Sequence, residues 1–318
     1  MDQWSFPDLV APSSEFVEEC GFIWGIPNTL VNAQYKGIGH NVFYVYGIDG
    51  GIGDDANDGL TPTAPFLTLT EALSHCVAGQ NDCIVVLDYW QPTGETWPIS
   101  VDVNTVHILG ALGQGTQMPI ITPTGDTAGL SIAADRVEIA RLCINGGATH
   151  GCIENDVTGA TARWGLRVRD CWFAVLGSAQ DGIKNLAASD NVYLNVQRCR
   201  FGFAITRDGI RIEHNATRAQ IGDPWGAGNV FDRVQGIGVN CVGNVADVGI
   251  FNNTFIIPAN TAGGAVTLSA GSGGCAIFGN VANFGDTTMG NNPFADGAGA
   301  GANHWGNNMQ GITLAMPT

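Results

Sequence analysis

The chain has 318 residues and a formal charge of −16, with 45% hydrophobic and 13% charged residues. That apolar share supports a large buried core and excludes a disordered chain, while the shortage of Lys and Arg excludes a general nucleic-acid binder, whose phosphate contacts need basic surplus. The 45 glycines show no Gly-X-Y period, so they punctuate turns, and many turns imply many short strands.

In chain order, residues 1–46 come first and stand outside any repeat. They carry Trp4, Phe6, Phe16, Phe22, Trp24 and Phe43. Such a segment is an arm or cap: either it anchors the chain on another protein through Trp4, Phe6, Phe16, Phe22 and Trp24, or it folds back over its own end. Its first residues lack a basic segment followed by an apolar run, and no stretch approaches the ~18 apolar residues of a membrane span. The expectation is a chain made in a cytoplasm, with no membrane partner.

Residues 47–83 read as a Gly- and Asp-rich turn followed by a short helix. Asp54, Asp55 and Asp58 are candidate Ca²⁺ ligands through oxygen, although Asp is equally favoured in such a turn for its backbone geometry. The run Thr68-Leu-Thr-Glu71 is a capping box before Ala72-Leu73, which predicts a helix able to plug the first coil of a repeat.

Residues 84–289 carry the repeat. Alternating apolar positions begin at Val137 and Ile139, and recur at Leu166 and Val168, Leu194 and Val196, Val248 and Ile250, and Cys275 and Ile277, with one coil near Ile221 skipped. The steps are 29, 28, 54 and 27 residues. A second series sets a glycine before an apolar strand at Gly151, Gly182, Gly209, Gly236 and Gly264, with steps of 31, 27, 27 and 28. Val106 to Ile108 and Ile84 to Val86 look like earlier, less regular coils.

Two series sharing one period mean at least two short strands per repeat, neither able to bury its inner face alone. Stacking equivalent strands ~4.8 Å apart completes the core. The predicted fold is therefore all-β: a right-handed parallel β-helix with coils of about 28 residues, with an irregular N-terminal arm and a short capping helix. Residues 290–318, rich in Gly, Ala and Asn, read as a C-terminal cap or subunit contact.

Nine cysteines without disulfide or zinc-ribbon spacing read as reduced thiols. Cys171 and Cys199 fall in one interior column, with Asn253 as their later counterpart. Eleven of the thirteen basic residues are Arg, all between Arg136 and Arg233, so the middle is nearly balanced and both ends are acidic.

The residues before the glycines of the second series are His150, Asp181, Asp208 and Gln235, expected to stack outward in one column. Asp181 and Asp208 on neighbouring coils would lie ~5 Å apart by backbone spacing, within reach of a retaining glycosidase pair, with His150 beside them. Trp164, Trp172 and Trp225 offer flat surfaces for sugar rings, and Arg207 and Arg211 offer charge for acidic sugars. The competing explanation is that Asp-Gly is an ordinary turn pair at a coil corner.

The segment from Tyr44 to Leu73, with Asn57-Asp58-Gly59, Pro62, Pro65, Phe66, Thr68 and Ala72-Leu73, resembles the opening of pectate-lyase-like β-helix proteins. The resemblance implies the fold and leaves the activity open, since that superfamily holds lyases, hydrolases, tailspikes and structural proteins. The acidic calcium cluster and basic general base of a pectate lyase have no match here.

In that context the expected function is a structural surface protein of a bacteriophage virion. It would be a homotrimeric decorating or cement protein, made in the host cytoplasm and bound to capsid or tail proteins. The alternative is a carbohydrate-active enzyme acting on a host surface glycan, either a tailspike depolymerase or a polysaccharide lyase or glycoside hydrolase.

Overall fold

A computed structural model of the chain describes residues 41–111, 118–155, 165–174, 177–186, 194–213, 218–226, 228–258, 263–284, 293–297 and 302–310, together with the backbone pairing of Phe22–Ile23 and Ile26–Pro27. Trp4, Phe6, Phe16 and Trp24 of the arm, and the side chain of Phe22, lie outside the described residues.

The chain is a parallel β-helix. Its strands form three parallel sheets, of ten, eight and eight strands, each coil adding one strand to each sheet through most of the length. Sheet I, the ten-stranded one, runs from Val42–Gly47 to His304–Gly306; sheet II runs from Ile120–Ile121 to Met309–Gln310, and sheet III from Ile99–Val101 to Phe294–Asp296.

The apolar periodicity places the core. In sheet I the register stacks Ile108, Ile139, Val168, Val196, Ile221, Ile250 and Ile277 in one inward column. Ile221 occupies its rung there, so the coil that the first series skips is present. In sheet III, Ile153, Ile183, Ile210, Val239 and Val266 form the equivalent column. β-Branched side chains suit a pleated surface, and each fully buried Ile or Val contributes roughly 1.5–3 kcal/mol from area removed from water.

Sheet II is the strand set that the two sequence series do not separate. Its strands are two to four residues long and follow those of sheet I after two or more intervening residues; at the end of the sheet I strand (Gly222) or just after it (Arg141, Asp170, Arg198, Asn252, Gly279 and Asn307) one residue takes positive φ. This repeated left-handed residue bends the chain from one sheet into the next, and Asn, Asp and Gly adopt it at lowest cost.

Inside sheet II, Phe173, Phe201, Phe231 and Phe255 stack with centroids 4.8, 4.5 and 4.6 Å apart. The rings lie against Gly182, Gly209 and Gly238, where an added Cβ would fall 2.3–2.5 Å from a ring atom. The register pairs Ile183 with Ile210 and Ile210 with Val239, which places Gly238, not Gly236, after Gly209. The coil between is two residues longer than the glycine spacing suggested.

Beside the Phe stack, the column that starts with buried Cys171 and Cys199 continues as Asn229, Asn253, Asn280 and Asn308. Asn253 Nδ2 donates to Ile221 O at 3.0 Å and to Asn280 Oδ1 at 3.0 Å, while Asn253 Oδ1 accepts from Asn229 N at 2.9 Å. Asn280 repeats the pattern toward Asn308. All eight described cysteines are free and buried, and burial raises the Cys83 and Cys241 thiols above their ordinary range.

The helix α1, Leu69–His75, forms as the capping box predicts. Thr68 accepts from Glu71 N, while Leu69, Ala72 and Leu73 are buried against Phe43 and Phe66 and close the N-terminal end of the core. Glu95 binds Leu69 N and Asp55 binds Thr68 N, so two acids from outside the helix satisfy its first amides. No helix among the described residues is long and apolar enough to cross a membrane.

Candidate functional site

The candidate residues gather where sheet III begins in each coil. Gly151 pairs with Asp181, so His150 lies one residue out of the expected column, and Ile237 rather than Gln235 follows Asp208. The stacked pair Asp181 and Asp208 remains.

Both carboxylates are buried, with side chains 0% and 3% exposed. Asp181 Oδ1 accepts from Arg207 Nε at 2.9 Å and from the backbone N of Asp208 at 3.1 Å, and its other oxygen meets the same guanidinium. Asp208 Oδ1 accepts from Ile237 N at 3.0 Å, and Oδ2 from Arg211 at 2.7 Å and Asn240 Nδ2 at 2.9 Å. Each Asp thus ties its own coil to the backbone of the next.

Desolvation outweighs the Arg207 bonds and raises the Asp181 carboxyl above the ordinary value. A raised carboxyl suits a general acid, but with no exposed side-chain surface Asp181 can pass a proton only to the groups around it. The solvent-facing members of the cluster are Arg207, Arg211 and Glu213, the last bridged to Arg211 Nε at 2.7 Å. His150 is 39% exposed and sits 3.2 Å from Glu154, which also faces Lys184 at 3.9 Å.

Of the aromatic candidates, Trp172 is part-exposed in sheet II, Trp225 is 95% exposed in the loop before Val230, and Trp164 lies outside the described residues. Among the described residues, neither Trp172, which lies against Arg200, nor Trp225, whose backbone N binds Asp223, makes a polar or ring contact with the Asp181 cluster.

The calcium candidates do not converge on one another. Asp54 accepts from Ala56 N, Asp58 from Leu60 N, and Asp55 from Leu67 N, Thr68 N and Thr68 Oγ1. These bonds hold the turn and start α1. Among the described residues no group of three or more His, Cys, Asp or Glu side chains is placed to hold a metal ion.

Two further clusters emerge only from the folded chain. On sheet I, Glu138 is buried between His107 Nδ1 at 3.0 Å and Arg169 Nε at 2.5 Å, and Asp170 carries the network on to Arg198 at 2.7 Å. On sheet II, Asp232 binds Arg200 at 2.6 Å and Arg233 at 3.2 Å, while the guanidinium carbons of these arginines lie 5.8 Å from the rings of Trp172 and Phe203. Alternation from Phe201 already sends Arg200 outward, but its partner sits a full coil later, and only the register joins them. No model of a known protein family matches the chain, and no curated protein matches it.

Proposed function

We propose that the chain is a structural surface protein, in which the β-helix serves as a rigid rod, and that it assembles as a homotrimer decorating a bacteriophage particle. The observation that carries the structural reading is the state of Asp181 and Asp208. The two acids best spaced for glycoside chemistry are buried struts that bind the next coil's backbone, with a separate arginine on each.

Other features support the same reading. The acid–arginine networks of sheets I and III join successive coils, as struts in a rod would. Eight buried free thiols suit folding in a reducing compartment before release. The pectate-lyase-like opening segment admits structural members of that superfamily as readily as enzymes.

Sedimentation of the purified full chain is expected to give about three times 33.3 kDa, and an antibody against it should label the outside of intact phage particles in the source lysate. Incubation with polygalacturonate, alginate or hyaluronan should release no oligosaccharide. Turnover by the wild type that disappears in folded Asp181→Asn and Asp208→Asn variants would overturn the structural role; unlabelled particles would overturn the virion location.

A further inference from the structure

Two apolar clusters lie on opposite faces of the first strands of sheet I. Ile84, Val86, Ile108 and Ile139 point into the rod and belong to the main core. The residues alternating with them, Cys83, Val85, Leu109 and Ala140, point outward. With Tyr44 and Leu87 they form a second cluster, in which every one of these side chains is buried, at 0–6% exposure. Further along the same face the register replaces them with Arg167, Arg169, Asn195 and Gln197, and Phe278 there is left 37% exposed.

An outward side chain with no exposure has something lying over it. These exposures are those of a single chain, so the cover is the chain's own. Sheets II and III and α1 pack on the inner face. The partly buried side chains against the outer cluster, Val42 and Tyr46, belong to the first strand of sheet I itself. Of the entry turn, Gly51 lies against the Tyr46 ring at the rim, while Ile52 and Leu60 are 55% and 51% exposed. Residues 112–117 bring a single large apolar side chain, Leu112.

We propose that the N-terminal arm, residues 1–40, folds back along the outside of sheet I and supplies this cover. Three observations select it. The chain joins sheet I at the margin of the patch: Asn41 N donates to Asp82 Oδ1 at 2.6 Å, and Asn41 O accepts from Cys83 N at 2.9 Å. The arm is rich in the side chains that such a patch takes, with Trp4, Phe6, Phe16, Phe22, Ile23 and Trp24. Its pairing of Phe22–Ile23 with Ile26–Pro27 makes a two-stranded hairpin, which is marginal in water unless an apolar surface backs it. The patch crosses four strands, about 14 Å at ~4.8 Å per step, a width that a short hairpin and its side chains can cover.

The end of the core is closed by α1, so the arm is left for the outside of the sheet. The inference is independent of the virion role and of the trimer. Aromatic side chains used in this cover are not free to anchor the chain on another protein.

Cys83 reports the cover, because it belongs to the outer cluster, whereas Cys171, Cys241 and Cys275 line the inner core. The test uses the full chain carrying Trp4→Ser, Phe6→Ser, Phe16→Ser, Phe22→Ser and Trp24→Ser. Alkylation of Cys83 by N-ethylmaleimide, located by peptide mass mapping, should quicken roughly tenfold or more, with the three inner thiols unchanged. A folded variant whose Cys83 stays as protected as in the wild type overturns the arm as the cover.

Should the variant unfold, all thiols react together, and a photo-crosslink decides instead. Benzoylphenylalanine in place of Trp24, in an otherwise native chain, should link to the peptides that hold Val85 or Leu109. Light and isotopically heavy chains refolded together should give links within one chain only. Links to sheet II or III, or to no part of the rod, overturn the proposal. Links between light and heavy chains overturn it in favour of a second copy's arm lying on the patch.

Discussion

Asn253 is 0% exposed and binds both neighbouring coils through its side chain: it accepts from Asn229 and donates to Ile221 O and Asn280. Asn253→Ala removes these bonds and leaves the amide of Asn229 and the carbonyl of Ile221 short of partners in the core. An unsatisfied buried group costs ~1–3 kcal/mol, so a loss of about 2–4 kcal/mol is expected from the urea midpoint. A change below about 0.5 kcal/mol would show the ladder to be idle. The column itself was legible from sequence, since Asn253 falls where Cys171 and Cys199 precede it. The switch from thiol packing to an amide ladder was not, because one asparagine gains nothing there until another sits on the next rung. Acid sensitivity is also set residue by residue. Burial opposes the charge on Asp170, but the bonds from Arg198 and Arg169 outweigh it and hold the carboxyl below its ordinary value; Arg200 and Arg233 do the same for Asp232. With folded values depressed, the unfolded chain takes up protons first, so this stabilisation is complete above about pH 4 and is lost as pH falls through the folded values. Asp181, with a raised value, runs the opposite way and favours the folded form as it protonates. Asp170→Asn should therefore lose less stability than the wild type between about pH 6 and about pH 3 in urea titrations; an equal loss would remove Asp170 from the account.

Among the elements, the Phe stack of sheet II gives the sharpest comparison. Phe231 has a ring on each side, at 4.5 and 4.6 Å, whereas Phe173 has one, at 4.8 Å. Replacing either by Leu sacrifices similar area, so Phe231→Leu should cost more than Phe173→Leu by the worth of one further ring pair, ~0.5–1.5 kcal/mol. Equal urea midpoints would show that area alone matters. The sequence already contained the strand periods of sheets I and III and the capping box of α1, because alternation and capping are local signals. It hid the third sheet, whose strands are too short to alternate and whose boundary is one left-handed residue, an Arg at Arg141 and Arg198 and a Gly at Gly222 and Gly279. It also misplaced His150 and Gln235, because coils of unequal length slide the corner residues by one or two positions. The partners of Asp181 and Asp208 were beyond reach for the same reason: Arg207 and Ile237 sit on other coils. Sequence alone marks Arg207 and Arg211 as cations, but for a sugar and not for these carboxylates.

At the scale of the whole molecule, what repeats is the set of inward columns, and what varies is everything the turns carry. The register between Ile221 and Ile250 gives this a concrete meaning: length is an adjustable setting of the rod. Excising residues 221–249 would join Gln220 to Ile250, which inherits the place of Ile221. Asn253 would then lie beneath Cys199 where Asn229 had been, Phe255 would take the seat of Phe231 over Gly209, and the amide of Gly264 would replace that of Ile237. Every column would close with a residue already suited to it. The shortened chain is expected to fold with unchanged circular dichroism per residue and to be about 4.8 Å shorter by small-angle scattering. An aggregated or partly unfolded product would show that the coils are individually fitted and not interchangeable. If they are interchangeable, the molecule is a ruler graduated in coils, and a chain can gain or lose reach without renegotiating its core.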